Sequence, residues 1–353
     1  MRWIVALILL FCKGASGSPP GPNYWEIFGP PVSSTPPTEM SIVWQLMYRG
    51  YPLHAAFAYA VHPNDRYSWN AVGGYASPEA AEAAALQACR SQVVEEGVVC
   101  VTLAVDGGRV GHPPLVLADG SFGEATRSRL HHVFGPEKAR GVVIWSHGYG
   151  GTATDGRVSA IPGWISALND AGWDIMRFDR APETDLDINS VVERLLRAVG
   201  LVREHGYRRV VLAGVSRGGW QSLLAASHPE ASIHAVIATV PGAHGSHQNA
   251  EFRHATAIGD WRRVLNGLSG SMTRVAMVFF LDDPFNPSQD TRARLWSEWA
   301  EARPYPSLLI RPSHPSGHDA EFLPGFIHRW TNCLLNFVED ADPPAGAVSD
   351  GCF

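Results

Sequence analysis

The chain has 353 residues and a net charge of −6 without any Lys/Arg tract, which argues against nucleic acid and anionic membrane surfaces as partners. With 45% hydrophobic residues it can bury a large core, and its length fits one large domain plus a small one.

Residues 1–17 read as a secretory leader: Arg2 is a minimal basic region, Trp3 to Cys12 is apolar, and Ala15-Ser16-Gly17 offers small residues before a cut. A ten-residue apolar run falls short of the ~20 residues a spanning helix needs, and no later run is longer, so no transmembrane anchor is expected. Bulky Phe11 before Cys12 disfavours a lipoprotein cleavage site. The expected product is a soluble bacterial protein, secreted or periplasmic. In such an oxidising compartment the four cysteines left after the leader should pair. Proximity in sequence favours Cys89–Cys100 and Cys333–Cys352 among the three pairings available.

Residues 18–39 are too proline-rich to pack regularly and read as a tether. A small α+β domain is expected over 40–107. Two strands, 54–61 and 68–73, flank a turn at Pro63-Asn64-Asp65. Ser77 then caps a helix that has Pro78 at its first position, Glu79 in its first turn and an alanine-rich body to Cys89. A strand follows over 98–105. The Ala-Phe-Ala-Tyr-Ala strand, Trp69, the Ser-Pro-Glu-Ala-Ala helix ending in Cys89 and the second cysteine before the last strand resemble the DUF4189 domain of exported bacterial proteins. That resemblance implies no reaction, only an accessory module that contacts envelope or polymer material.

Residues 108–353 are expected to form the larger domain. After a transitional stretch to 139, strands and helices alternate. Strands are expected at 141–146, 173–178, 209–213, 235–240, 275–281 and 307–310, with helices at 161–171 and 187–205 and a last helix, 325–339, closing the fold. The pattern predicts a mostly parallel sheet with helices on both faces.

Within it, Gly214-Val215-Ser216-Arg217-Gly218-Gly219 sits between a strand and a helix. Small residues on both sides of Ser216 let a sharp turn expose its hydroxyl. A serine nucleophile needs a base and an acid that orients it. Asp282-Asp283-Pro284-Phe285-Asn286-Pro287 and His314-Pro315-Ser316-Gly317-His318 follow later strands in that order. The strand–Gly-x-Ser-x-Gly–helix turn, the Asp-x-x-x-Pro loop and the Gly-His pair before the terminal helix resemble the α/β-hydrolase superfamily, nearest its serine esterase/lipase and dienelactone-hydrolase-like branches. The resemblance implies a Ser216, Asp283, His318 triad, with Asp282 and His314 as alternatives. It further implies an oxyanion hole from the backbone N–H groups of Arg217 and Tyr149, the latter in His147-Gly148-Tyr149-Gly150-Gly151. His147 is then a loop-shaping residue and no base.

The expected activity is carboxylic ester hydrolysis of a small-molecule substrate through an acyl-enzyme, with no metal or organic cofactor. Alternatives are a serine peptidase of prolyl-oligopeptidase type and a non-catalytic envelope-binding protein. Trp220, Phe285 and His244 are candidates to line the substrate pocket. His244 and His247 have a metal-ligand spacing but no third ligand nearby. The Arg217 side chain is expected to meet an acidic substrate group or Asp179.

Overall fold

A computed structural model describes residues 47–52, 54–62, 67–94, 97–109, 121–128, 130–150, 155–246, 254–286 and 288–349. The expected leader and tether, the turn at 63–65, Gly151, His247 and Cys352 lie outside the described residues.

A four-stranded antiparallel sheet comes first: β1 (Ala56–Val61), β2 (Tyr67–Val72), β3 (Val101–Val105) and β4 (Gly108–Arg109), in the order β2-β1-β3-β4. Helix α1 (Pro78–Arg90) covers one face, and the Ser77 hydroxyl accepts from Ala80 N–H at 3.2 Å at its start. Alternation in β1 sends Ala56, Ala58 and Ala60 toward Ala81, Ala85 and Cys89 of α1, so small side chains allow close helix–sheet contact. Phe57 takes the other face, stacked on Trp69 with ring centres 6.0 Å apart. A Cys89–Cys100 disulfide ties α1 to the residue before β3. Cys333 is disulfide-bonded as well.

The second sheet has nine strands in the order β13-β12-β11-β10-β9-β7-β8-β6-β5. These are β5 (Ser121–Phe122), β6 (Ala125–Arg127), β7 (Val142–Ser146), β8 (Asp174–Phe178), β9 (Val210–Val215), β10 (Ala235–Thr239), β11 (Arg274–Val278), β12 (Ser307–Ile310) and β13 (Gly346–Val348). From β8 to β13 all neighbours run parallel, and the β5–β6 hairpin adds an antiparallel edge beside β8. Helices α2 (Gly163–Asp170), α3 (Ile188–Glu204), α4 (Arg217–Ala226), α5 (His254–Leu268), α6 (Gln289–Glu301) and α7 (Pro324–Glu339) connect or follow the strands.

Alternation along buried strands makes two cores. Val142, Ile144, Val210, Leu212, Val236, Val275 and Met277 face α3, α4, α5 and α6; Val143, Trp145, Val211, Ala213, Ile237, Ala276 and Val278 face α2 and α7. On α3 the apolar stripe buries Val191, Val192, Leu195, Val199 and Val202, while Leu196 is only partly covered.

Three expectations are corrected. The last helix does not close the fold, because the chain returns as β13 beside β12 and gives that strand a second neighbour. The stretch to 139 holds the β5–β6 hairpin, whose strands are too short to show a period. The strand expected to reach Leu281 ends at Val278, and Leu281 is exposed.

The two sheets are joined through a turn over Tyr48–Gly50. Ile161 N–H donates to Gly50 O at 2.8 Å, and buried Arg49 reaches Asn169 Oδ1 at 2.6 Å and Asp170 Oδ1 at 2.9 Å at the end of α2. Replacing Cys89 and Cys100 with serine releases an 11-residue separation. It should destabilise the small sheet by about 3 kcal/mol, read as earlier loss of α1 amide protection in hydrogen exchange while β9–β11 stay protected.

Candidate active site

The order of the large sheet reverses at β7, which lies between β8 and β9. Loops leaving the carboxyl ends of β7 and β9 therefore diverge and open a crevice, the place where open α/β sheets hold ligands. Ser216 follows β9 and His147-Gly148-Tyr149 follows β7, so both stand at this crevice.

Ser216 has φ 54° and ψ −120°, a strained conformation for a residue with a side chain. Its neighbours explain how it is held. A Cβ on Gly214 would lie 2.5 Å from the Gly218 carbonyl carbon, and one on Gly218 only 2.2 Å from Ser146 O. Only glycine fits either position, which brings α4 hard against the ends of β7 and β9. Ser216 N–H donates to Thr239 O at 2.9 Å, and its carbonyl accepts from Gly242 N–H at 3.2 Å. A Cβ on Gly148 would touch Ser216 Cβ at 3.4 Å, so the β7 loop runs directly alongside the serine.

Asp283 and His318 are brought together. His318 Nδ1 donates to Asp283 Oδ1 at 2.8 Å, and the Asp283 side chain is fully buried. Phe285 N–H donates to the same oxygen at 2.9 Å, which fixes the carboxylate within its own turn. Gly317 N–H donates to Leu281 O at 2.7 Å and sets the histidine loop against the acid loop. With Nδ1 as donor, Nε2 keeps a lone pair. The alternatives Asp282 and His314 are both exposed, and Asp282 does not share the Asp283–His318 hydrogen bond. Phe285 is half-buried with its ring 4.4 Å from that of His318, and its carbonyl lies beside Gly242, which binds Ser216 O. The acid and histidine loops are thus linked to Ser216 through Phe285 and Gly242.

Arg217 opens α4, so its N–H has no acceptor inside the helix. Its guanidinium lies over the Tyr149 ring at 4.4 Å, which ties the two oxyanion candidates to each other. The expected partner Asp179 is instead held by Arg177. Arg217 Nε faces Asp185 Oδ1 at 3.6 Å, and Asp185, fully buried, also meets Arg180 Nε at 3.1 Å and accepts from Gln221 Nε2 at 2.8 Å. Asp185 escaped sequence reasoning because a lone Asp in a loop carries no spacing signal.

His147 is buried and fully engaged. Arg180 N–H donates to its Nε2 at 2.9 Å, its Nδ1 donates to Gly148 O at 2.6 Å, and the Arg180 guanidinium donates to its carbonyl at 2.5 Å. Burial, and then the Arg180 charge, push its pKa down to about 4. With both ring nitrogens occupied it has no free lone pair for a reacting proton.

Two of the substrate-lining candidates have protein partners of their own. Trp220 is 4% exposed and packs in the core against Trp261, with Arg292 5.9 Å from its ring centre, so little of it is left for a ligand. His244 packs edge-on against Trp220 and lies 3.0 Å from Asp260 Oδ2, where burial and then Arg292 and Arg263 lower its pKa. Among the described residues no group of three or more His, Cys, Asp or Glu is placed to hold a metal.

The His147 environment has a pH consequence. Between pH 6.5 and about 4 the unfolded chain protonates this histidine and the folded one does not, so folding loses stability as pH falls through that window. The loss is on the order of 3 kcal/mol. Urea unfolding at pH 7 and pH 4 should show a smaller pH gap for His147→Asn than for the parent chain.

No protein-family model matches the chain, and no curated protein matches it. Among solved structures it is similar to a puromycin-hydrolyzing peptidase of Mycobacterium tuberculosis at 16% identity and TM-score 0.42, over 61% of this chain and 36% of that one. It is similar to Est1E from Butyrivibrio proteoclasticus at 17% identity and TM-score 0.40, over 58% of this chain and 88% of that one. The Pyrococcus furiosus esterase Pf2001 is similar at 12% identity and TM-score 0.45, over 62% of this chain and 88% of that one.

Proposed function

We propose that the protein is a serine hydrolase that cleaves carboxylic esters through an acyl-enzyme. The observation that carries this reading is the buried Asp283–His318 hydrogen bond, set on loops linked through Phe285 and Gly242 to a serine held at φ 54°. In this reading His318 Nε2 takes the Ser216 proton as Oγ attacks the acyl carbon. Asp283 keeps the proton on Nδ1 and stabilises the imidazolium that forms. The N–H groups of Arg217 and Tyr149 receive the negative charge of the tetrahedral intermediate, each donor contributing about 3–4 kcal/mol in comparable hydrolases. Collapse expels the alcohol, which takes the proton from His318. Water then attacks the acyl group with His318 again as base, and Ser216 is regenerated. Phe285, against the His318 ring, forms an apolar wall for the acyl or alcohol portion.

We further propose that the protein works after export. The Cys89–Cys100 disulfide supports this, because such bonds persist outside reducing compartments, and so does the composition of residues 1–17. Among the described residues no helix is long and apolar enough to cross a membrane. Residues 40–107 form an accessory module in this reading and are assigned no chemistry.

Turnover of p-nitrophenyl esters of graded acyl length tests the reading. Asp283→Asn should lower kcat by about 10⁴-fold, the loss seen when the equivalent aspartate is replaced in a serine protease of unrelated fold, while Asp282→Asn stays within a few-fold of the parent. Equal losses in both variants would remove Asp283 from the triad. No ester turnover by the parent chain at any length would remove the esterase reading.

A further inference from the structure

Glu321 lies three residues beyond His318 in a short turn over Ala320–Phe322 and is fully buried. Its Oε2 accepts from Trp164 Nε1 of α2 at 3.1 Å and lies 2.8 Å from Thr239 Oγ1 at the end of β10. The same Thr239 hydroxyl is 3.2 Å from the carbonyl oxygen of Gly214, and the Thr239 carbonyl accepts the Ser216 N–H. Glu321 is thus two hydrogen bonds from the strand that carries the serine. Its Oε1 has no partner, and it forms no ion pair, among the described residues. Nothing in the acyl-transfer steps above uses it.

Counting protons shows which form fits. A threonine hydroxyl carries one proton and donates once. Beside an ionised Glu321 that proton is contested between the carboxylate and the Gly214 carbonyl, and where the carboxylate takes it Gly214 O keeps only the ladder bond from Thr239 N–H. A neutral Glu321 resolves the contest. Trp164 Nε1–H donates to Glu321, the acid O–H donates to Thr239 Oγ1, and the threonine proton goes to Gly214 O. Each proton is used once and the chain runs in one direction. A neutral acid also leaves its bare Oε1 less costly to bury than a charged one.

We propose that Glu321 is a positioning residue for the reaction assigned to Ser216, acting as a neutral carboxylic acid that directs the Thr239 hydroxyl onto the Gly214 carbonyl and so holds the serine turn in register. This rests on the acyl-transfer reading and adds a group behind the nucleophile to it. Burial pushes the Glu321 pKa up to about 7, opposed first by the hydrogen bonds from Thr239 and Trp164; Asp319 raises it and His318 lowers it. The groups facing it from β10 and α2 are the uncharged Thr239 and Trp164. Above that pH the acid ionises, the Thr239 proton turns to it, and the Gly214 carbonyl loses its second donor while keeping the ladder bond from Thr239 N–H.

The test combines kinetics and spectroscopy on the full chain. The pH profile of ester kcat should fall through a limb near pH 7 in the parent and in Thr239→Ser, which keeps the hydroxyl. The limb should be absent in Glu321→Gln, which cannot titrate, and in Thr239→Val, which cuts the link. Thr239→Val should also lose about tenfold in kcat at pH 6 with KM unchanged, the cost of one buried hydrogen bond. Infrared difference spectra of Glu321→Gln against the parent at pH 6 should show one protonated carboxyl missing. A limb that survives in both Glu321→Gln and Thr239→Val overturns the proposal, and so does the absence of a protonated carboxyl difference. If Glu321→Gln does not fold, the Thr239→Val and Thr239→Ser pair decides between the outcomes. A parent chain without ester turnover would instead bring down the acyl-transfer reading, while the infrared band would still report the state of Glu321.

Discussion

Most of the site depends on a serine kept at φ 54° by the close approach of Gly214, Gly218 and Ser146. Strain of this kind costs of order 1–3 kcal/mol and persists only where the surroundings over-determine it. Here the surroundings are the parallel ladder itself, which continues past the strand ends. Ser216 N–H bonds Thr239 O, Val240 N–H bonds Val278 O, and Phe279 N–H bonds Ile310 O. Val240 and Asp282, in the loops after β10 and β11, also have positive φ, at 42° and 58°. Three adjacent strands therefore end in sharp turns at the same edge, and that edge carries Ser216 and Asp283, with the His318 loop bonded to it through Leu281.

Buried charge around the crevice is arranged so that one histidine is left available. His147 is held neutral by burial and by Arg180, with both ring nitrogens occupied. Arg180 is in turn paired with Asp185, which also faces Arg217. A buried ion pair adds little stability by itself, because desolvation offsets most of its attraction. Its contribution here is geometric, since it keeps Arg217 against Tyr149 and so links the start of α4 to the loop after β7. His318 differs from His147 in having a carboxylate on Nδ1 alone.

What the sequence showed and what it hid follow from the range of the forces involved. The six central strands and their helices were legible because a parallel sheet buried on both faces needs continuous apolar runs, such as Val210-Val211-Leu212-Ala213. The Ser77 cap and the Cys89–Cys100 bond were legible because capping and short-loop pairing are local. Strands β5, β6 and β13 were not, since two or three residues carry no period and their pairing is decided by a sheet edge distant in sequence. Trp220 reads equally well as core or pocket wall until Trp261 and Arg292 are seen against it. Asp185, Thr239 and Glu321 were invisible for a related reason: each matters through partners 25 to 82 positions away.

The central claim is that Ser216 is a nucleophile activated by its fold. Labelling the protein with a fluorophosphonate and mapping the adduct by peptide mass spectrometry tests it most directly, with a Ser216→Ala chain in parallel. The account predicts one phosphonylated peptide, modified at Ser216, and no adduct in the variant. An adduct at another residue, or undiminished labelling of Ser216→Ala, would contradict it, as would no labelling of a parent chain whose circular dichroism shows it folded.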